Sequence, residues 1–550
     1  MAGEGNGGGG SSAPAHLQVQ RGRCHQAPHF SKLPATSQST AAASPRSPRA
    51  EQRQTATQLG GLPAGWREQD AAAVGGVKSL SDSLPCCDIR HSQTQTQART
   101  HALTHTHAGM ADVSSSSSAS SSASNAQPTA LIIGGGISGL SCALFLQRAG
   151  ISARVFEAYP KLSEVIGGLG LAPNGMNVLR SLGLAERLAA VASPTTAFEF
   201  RSSTGSSLGT MQMHGKERYG VEGVACTRLA LHKILHEAIL ERGVEISYGR
   251  KLKAITQSPN EVTAEFEDGS KATAHMLIGA DGLHSITRRI LFPSAPAPER
   301  VGLLGFGGAV PSQHLTPELR KQIPPPGTMS FTFGPLGFFG ASDFGLDSKG
   351  EVMAGWWSNT PDDDRVWSRA ELVGLSSNSA LVRERLMALH GNWAEPIPSL
   401  IRLGCAEDAP MKITCLQIFD VQDLKQWHQG RVVLIGDAAH AMSPNSGQGA
   451  SQALEDAMYL AVLLKGAGVA ASNANSLWRI FTEFQAERKP RCDRINTAAR
   501  ARGQTKRTPT SPFMCFLRDW SMRAVFAIMN LAGRHNDEEY GYRCPGYDTI

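Results

Sequence analysis

The segment from Thr129 to Glu157, TALIIGGGISGLSCALFLQRAGISARVFE, restricts what this chain can fold into more than any other stretch. Ala130 to Ile133 is a short apolar run of the kind that forms a buried parallel strand. Gly134 to Gly139 fits G-x-G-x-x-G, and Leu140, Ala143, Leu144 and Leu146 give the following residues the apolar stripe of a helix. Ala153 to Phe156 reads as a second strand ending at Glu157. Gly134 allows the tight turn out of the first strand, Gly136 lets a pyrophosphate approach the backbone, and Gly139 lets helix and strand pack closely. The helix start at Ile137 and Ser138 offers free N–H groups and a positive dipole end to phosphate. Glu157 lies about twenty residues on, where a carboxylate accepts hydrogen bonds from ribose hydroxyls. The unit predicts a dinucleotide site. On its own it does not separate FAD from NAD, and its bland alternative is a glycine-rich turn that binds nothing.

Composition sets outer bounds. The 550 residues suffice for two to four domains. No uncharged apolar run reaches eighteen residues, which argues against a transmembrane helix. The net charge of +6 is modest, and residues 1–109 hold ten Lys/Arg against six Asp/Glu, so most of the excess lies there. No basic stripe interleaved with aromatics points to nucleic acid. The ten cysteines show no C-x-x-C pair and no metal-ligand spacing, so they read as reduced thiols, and no metal site is expected.

Residues 1–127 read as a disordered tail. They are rich in Ser, Ala, Gly, Gln and Thr, and Ser114 to Ser124 is almost pure Ser/Ala. Translation from Met110 is the favoured reading of this region and a mitochondrial transit segment the alternative, with a cytoplasmic protein expected. The remainder reads as α/β: a Rossmann-like domain from 128–191, 222–298 and 425–505, and a substrate domain of mixed sheet and helices from 192–221 and 299–424. Residues 506–550 form a C-terminal segment whose helix, Phe513 to Leu531, is expected to cap the substrate domain in preference to lying on a membrane surface. Cys226 to Leu235 reads as helix and Val244 to Ile255 as one strand.

Two further motifs follow the first in order. Gly279 to Arg288, GADGLHSITR, follows a predicted strand, and Gly436 to Ala457, GDAAHAMSPNSGQGASQALEDA, follows another at Arg431 to Ile435. With these three segments the chain resembles the single-component FAD-dependent aromatic-ring hydroxylases, similar to salicylate, p-hydroxybenzoate and urate hydroxylases, over residues 129–500. The resemblance implies FAD as cofactor and NAD(P)H as a transient co-substrate. It implies that Asp281 and Gly282 contact FAD and lie where NAD(P)H docks. Arg228 falls at the Arg of the family's R-x-x-L-x-x-x-L helix beside the FAD phosphates, where a guanidinium fork suits the role. Asp437 can accept hydrogen bonds from ribitol hydroxyls, Pro444 fixes the backbone where a flat ring lies, and Gly447 and Gly449 precede a helix start that would face the flavin pyrimidine edge. Two positions depart from the family: Ala158 follows Glu157 where Arg or Lys is frequent, and Ser451 stands where Asn is common. The implied reaction is transfer of one oxygen atom from O2 through a C4a-hydroperoxyflavin to a small aromatic or conjugated substrate. Phe331, Phe333, Phe338, Phe339 and Phe344 are candidates for a dry cavity, with plain core packing as the alternative for each. His440 is expected to be structural. No catalytic residue can be named; His214, His232 and Tyr219 lie near the right regions. The rival functions are a flavin oxidase or reductase without oxygen transfer, and a non-catalytic binding protein on the same fold.

Overall fold

The computed structural model describes residues 129–162, 167–347, 349–409, 411–468, 472–504, 511–532 and 536–550. The expected tail of 1–127 lies outside the described residues. Four strands with apolar cores, Val432–Leu434, Met276–Gly279, Thr129–Ile133 and Ser152–Glu157, lie side by side and parallel. Glu245–Tyr248 extends the sheet beyond Ser152–Glu157, and His428–Gln429 closes the other side antiparallel. The chain steps from Thr129–Ile133 to one side first and returns later to the other. The strand order therefore reverses there, and open parallel sheets bind ligands outside the strand C-termini at such a point. Helices Ile137–Arg148, Arg228–Glu241 and Gly449–Ala467 supply most of the apolar cover, with Leu140, Leu144, Leu235, Leu454 and Leu460 fully buried.

A second sheet has seven strands in the order Thr414–Asp420, Glu299–Pro311, Val352–Pro361, Phe338–Leu346, Thr328–Phe333, Ala197–Ser202 and Ser207–Gln212. It is antiparallel except between Thr328–Phe333 and Ala197–Ser202. Residues 197–212 thus join strands from beyond residue 299. One face carries helices Arg369–Ser377, Ser379–His390 and Ile397–Gly404, over a core that includes Phe306, Phe339, Trp356, Leu386 and Leu400. The opposite face presents Met329, Phe344, Met353, Phe331 and Trp357 toward Ala225 of a small sheet, Gly168–Leu171, Gly223–Thr227 and Ser193–Thr195.

Local boundaries differ from the sequence expectation in two places. Cys226 and Thr227 end a strand, and the helix begins at Arg228 because the Thr227 hydroxyl accepts the Ala230 N–H at 3.2 Å. The stretch 244–255 is two strands, broken where Gly249 takes φ +70°.

The chain end is clasped to the first sheet's side of the molecule. Arg491 donates to the carbonyls of Glu538 and Glu539, both at 2.8 Å, Tyr547 donates to the Asn177 carbonyl at 2.7 Å, and Cys544 is buried in the core. No described helix is long and apolar enough to cross a membrane.

Candidate functional site

All three motifs leave the first sheet at strand C-termini. Ile133 is paired with Phe156 and with Gly279, and Gly279 with Leu434. The segments after these residues, Gly134–Gly136, Glu157, Asp281–Gly282 and Gly436–Asp437, therefore emerge along one edge. The glycines divide by what a side chain would meet. At Gly134, with φ +110°, a Cβ would run into the Ala280 carbonyl, and at Gly139 it would strike the Gly134 carbonyl. These two are required for packing. At Gly136, Gly282, Gly447 and Gly449 a Cβ would meet nothing within 4 Å. Their bare backbone faces open space, which is the surface a flat cofactor can lie against.

Two helices start at this edge with no side-chain cap, one after Gly136 and one after Gln448. Their first amides are left to a ligand or solvent. Three buried polar atoms here also have no partner among the described residues: Ser138 Oγ, Ser451 Oγ and Asn174 Oδ1. The Asp437 side chain is exposed at the start of Asp437–His440. The Arg228 side chain is exposed, and no hydrogen bond or ion pair is made by its guanidinium among the described residues. Pro444 opens the turn Pro444–Ser446 just before Gly447, which takes φ +63°. Bare glycines, uncapped helix starts and orphaned polar atoms together fit a phosphate-bearing cofactor of FAD's kind.

Two carboxylates are more occupied than expected. Asp281 accepts from the Ser285 hydroxyl at 2.5 Å, from the Ile286 and Thr287 amides at 2.8 and 2.9 Å, and from the Thr287 hydroxyl at 3.0 Å. It holds the start of helix Ile286–Leu291, so any cofactor contact there falls to backbone or to its remaining lone pair. Glu157 accepts the Gly135 amide at 2.6 Å and the Tyr159 amide at 2.9 Å, tying the second strand's end to the glycine loop.

Beneath the third motif lies a buried network that the sequence reading missed. Asp456 accepts the Gly436 amide at 2.8 Å, the His440 Nε2 proton at 2.6 Å and Arg488 Nε at 2.8 Å. Glu455 accepts from Arg488 at 2.5 Å, from Arg491 at 2.9 and 3.0 Å and from Asn174 at 2.6 Å. Burial alone would raise the Asp456 carboxyl, but His440 and Arg488 bring its pKa down to about 2. Burial alone would lower the His440 imidazole; Cys492 and Asp456 outweigh that and hold it well above its ordinary value. His440, Asp456 and Cys492 offer ligand atoms within 4.8 Å of one another. Arg488 and the Gly436 amide already use Asp456, so the cluster reads as an ion network that shapes the Gly436–Asp437 turn. Arg288, also buried, donates to the Ala438 carbonyl at 2.9 Å and to the Leu283 carbonyl, coupling the second motif to the third.

The three side chains near the expected base position are mostly engaged. His232 Nε2 lies 2.7 Å from the Gly135 carbonyl and burial lowers its pKa. The Tyr219 hydroxyl donates to Asp537 at 2.9 Å, and His214 is exposed in a left-handed conformation with φ 48°. The five phenylalanines split by strand parity. Phe331 lies within 6.0 Å of the rings of Phe338 and Trp357, Phe333 within 5.6 Å of Phe338, and Phe344 stacks on Trp357 at 6.1 Å. Phe339 points to the helix-covered face, stacked on Trp356 at 5.8 Å, so it is core and not cavity lining.

A parallel sheet with this edge, beside a second sheet whose aromatic face meets the small sheet between them, is the arrangement of a dinucleotide-binding protein. Comparison with known sequences narrows the class. The pattern described as "FAD binding domain" matches residues 127–337 and 390–497, and the chain belongs to that family, as an FAD-dependent monooxygenase of the aromatic-hydroxylase type. It is 33% identical over 403 residues to the 3-amino-4-hydroxybenzoate 2-monooxygenase PtmB3 of Streptomyces platensis, covering 72% of this chain and 93% of that one. It is 31% identical to the salicylate hydroxylase of Pseudomonas putida, covering 68% and 85%. Among solved structures, Klebsiella pneumoniae HpxO complexed with FAD and uric acid shares the fold, with a TM-score of 0.61 and 22% identity over 74% of this chain and 95% of that one.

Proposed function

We propose that this enzyme uses NAD(P)H and O2 to hydroxylate a small planar aromatic or conjugated molecule held against the open face of the seven-stranded sheet. The observation that carries the reading is the separation of that sheet's faces. Trp356 and Phe339 are sealed under helices, while Phe331, Phe344 and Trp357 turn toward the domain with the glycine edge. Bound FAD would supply hydride acceptance and oxygen activation. Gly136, Ile137, Ser138, Gly139 and Arg228 would hold its phosphates, Glu157 its ribose, and Asp437 its ribitol. Asp281, Gly282, Pro444, Gly447 and Gly449 would form the bed for the ring. The start of Gly449–Ala467 would favour negative charge at the adjacent ring edge. Phe331, Phe344 and Trp357 would exclude water and orient the substrate plane, which protects oxygen transfer from wasteful decay. No side chain is assigned as a base.

The test is to purify the protein, record its bound-flavin spectrum, and follow NADH and NADPH oxidation in air with a panel of phenols, aryl acids and purines. Substrate-stimulated oxidation with a product heavier by one oxygen is expected. Bound flavin that oxidises NAD(P)H and yields only peroxide across the panel would favour the oxidase reading instead.

A further inference from the structure

The registers of the seven-stranded sheet line up one row on its open face. Trp357 pairs with Gly340, Gly340 with Phe331, Phe331 with Phe200 and Phe200 with Gly209, across five neighbouring strands. Each glycine of the row is covered by an aromatic ring. A Cβ at Gly340 would strike the Trp357 indole, and one at Gly209 would come within 2.6 Å of Phe526. Phe526 belongs to the helix Pro512–Leu531, which therefore stands on the edge strand Ser207–Gln212, on the same side as the aromatic floor. Three side chains fasten the helix to backbone. Arg523 donates to the Ser207 carbonyl at 3.1 Å, Asn530 to the Thr210 carbonyl at 3.0 Å and Arg518 to the Gly334 carbonyl at 2.8 Å. From this wall Phe526 stacks on Phe200 at 4.4 Å. Phe200 stacks in turn on Phe331 at 5.5 Å, and Phe331 meets Trp357 edge-on at 6.0 Å.

We propose that Phe526 is a specificity-determining residue: it ends the substrate floor at the sheet edge and restricts the bound molecule to about the length of one aromatic ring. The inference rests on the proposed substrate face and adds a boundary to it. Toward one end of the strands that face is closed, because Met329, Phe344 and Met353 are buried with Ala225 of the small sheet. Farther along, Phe200, Phe331 and Trp357 are only partly buried, so the floor there is uncovered. Three strand spacings of about 4.8 Å separate Gly340 from Gly209, roughly 14 Å. With a ring seated on each of these glycines, the free stretch between them is that of a single ring system and not of an extended one. Phe526 is itself partly exposed and has surface left for a bound ring. The polar contacts of Arg518, Arg523 and Asn530 already hold the helix against the sheet, so the aromatic side chain is not needed as the only fastening.

The test uses the full chain with its flavin, titrated calorimetrically with phenol and with 2-naphthol, two neutral probes that differ by one fused ring. Wild type is expected to hold phenol at least as tightly as 2-naphthol. Phe526→Ala should shift the ratio of the two Kd values toward 2-naphthol by roughly tenfold, the scale on which a pocket discriminates small apolar groups. Phe526→Leu should shift it less, because Leu refills much of the space. Arg523→Gln/Asn530→Ala loosens the helix without shortening Phe526, so it should change both affinities alike and leave the ratio in place. Trp520→Gln, on the outer side of the same helix and 61% exposed, should change neither. An unchanged ratio in Phe526→Ala overturns the proposal, as does wild type that binds neither probe or prefers 2-naphthol. A ratio shifted equally by Arg523→Gln/Asn530→Ala overturns it in favour of a purely structural role. Loss of 2-naphthol binding in Trp520→Gln overturns it by placing the probe outside the floor. The titration needs no turnover, so a shifted ratio in protein that adds oxygen to no ring would sink the hydroxylation reading and leave this inference standing.

Discussion

His440 and His390 are both buried, and they sit in opposite chemistry. His440 lies under the third motif, bonded to Asp456 in a network with Arg488 and Glu455, and is held in its charged form. His390 lies between the seven-stranded sheet and its helices, with Nε2 2.7 Å from the Ser358 hydroxyl and the ring 4.3 Å from Trp393. Burial there pushes its pKa down to about 3. The part that carries the glycine motifs is thus pinned by ions around one turn, and the part built on the seven-stranded sheet by apolar packing. Each part should fail by its own mechanism.

The largest effect is expected from Asp456→Ala. It strands Arg488 and His440 without their counter-charge, a loss of about 4 kcal/mol in stability by denaturant titration, together with loss of bound flavin. An unchanged midpoint would break the contrast. Of the neighbouring tryptophans, Trp356→Ala should cost about 4 kcal/mol, because Trp356 is fully buried among helix and sheet side chains. Trp357→Ala, on the partly exposed face, should cost well under half of that and raise the substrate KM. Equal melting losses would erase the distinction between the two faces.

The pH response comes next. The unfolded chain binds a proton at His390 near pH 6.5, while the folded one resists it down to about 3. Stability from this group is complete above pH 6.5 and is lost as pH falls toward 3, by about 3 kcal/mol at pH 4. His440 has the opposite sign: its contribution is complete below pH 6.5 and is lost only as pH rises through its elevated folded pKa. Denaturant titrations of wild type and His390→Gln at both pH values should show a smaller acid loss in the variant. The smallest effect is Asp437→Ala, which should weaken FAD binding by about 2 kcal/mol in a fluorescence titration and leave the flavin-free melting midpoint in place, since the side chain is exposed.

The glycine motifs were legible because their demands are local. A left-handed φ at Gly134 and a close approach at Gly139 are fixed within a few residues of chain. The network under them was not, because Arg488 reaches Glu455 and Asp456 across 33 and 32 residues, from helices whose sequences carry no fixed spacing. Strand existence in the second sheet was legible and facing was not. Phe338 and Phe339 are adjacent and both are buried although they point to opposite faces, so hydrophobicity does not alternate along Phe338–Leu346. Asp281 illustrates a subtler limit. A carboxylate after a strand invites a ligand role, yet four donors of its own segment take it.

The hydrogen bond from Tyr547 to the Asn177 carbonyl joins residues 370 apart. A ribosome adding about 5–20 residues per second needs on the order of 20 to 70 s to travel that distance. For that interval the nascent part that carries the glycine motifs waits with its first sheet begun. Arg491 is made late and its carbonyl partners at Glu538 and Glu539 later still. The helix that carries Arg488 and Arg491 is therefore joined to the helix of Asn177 by residues 538–547, made long after the glycine loop whose turn that helix braces.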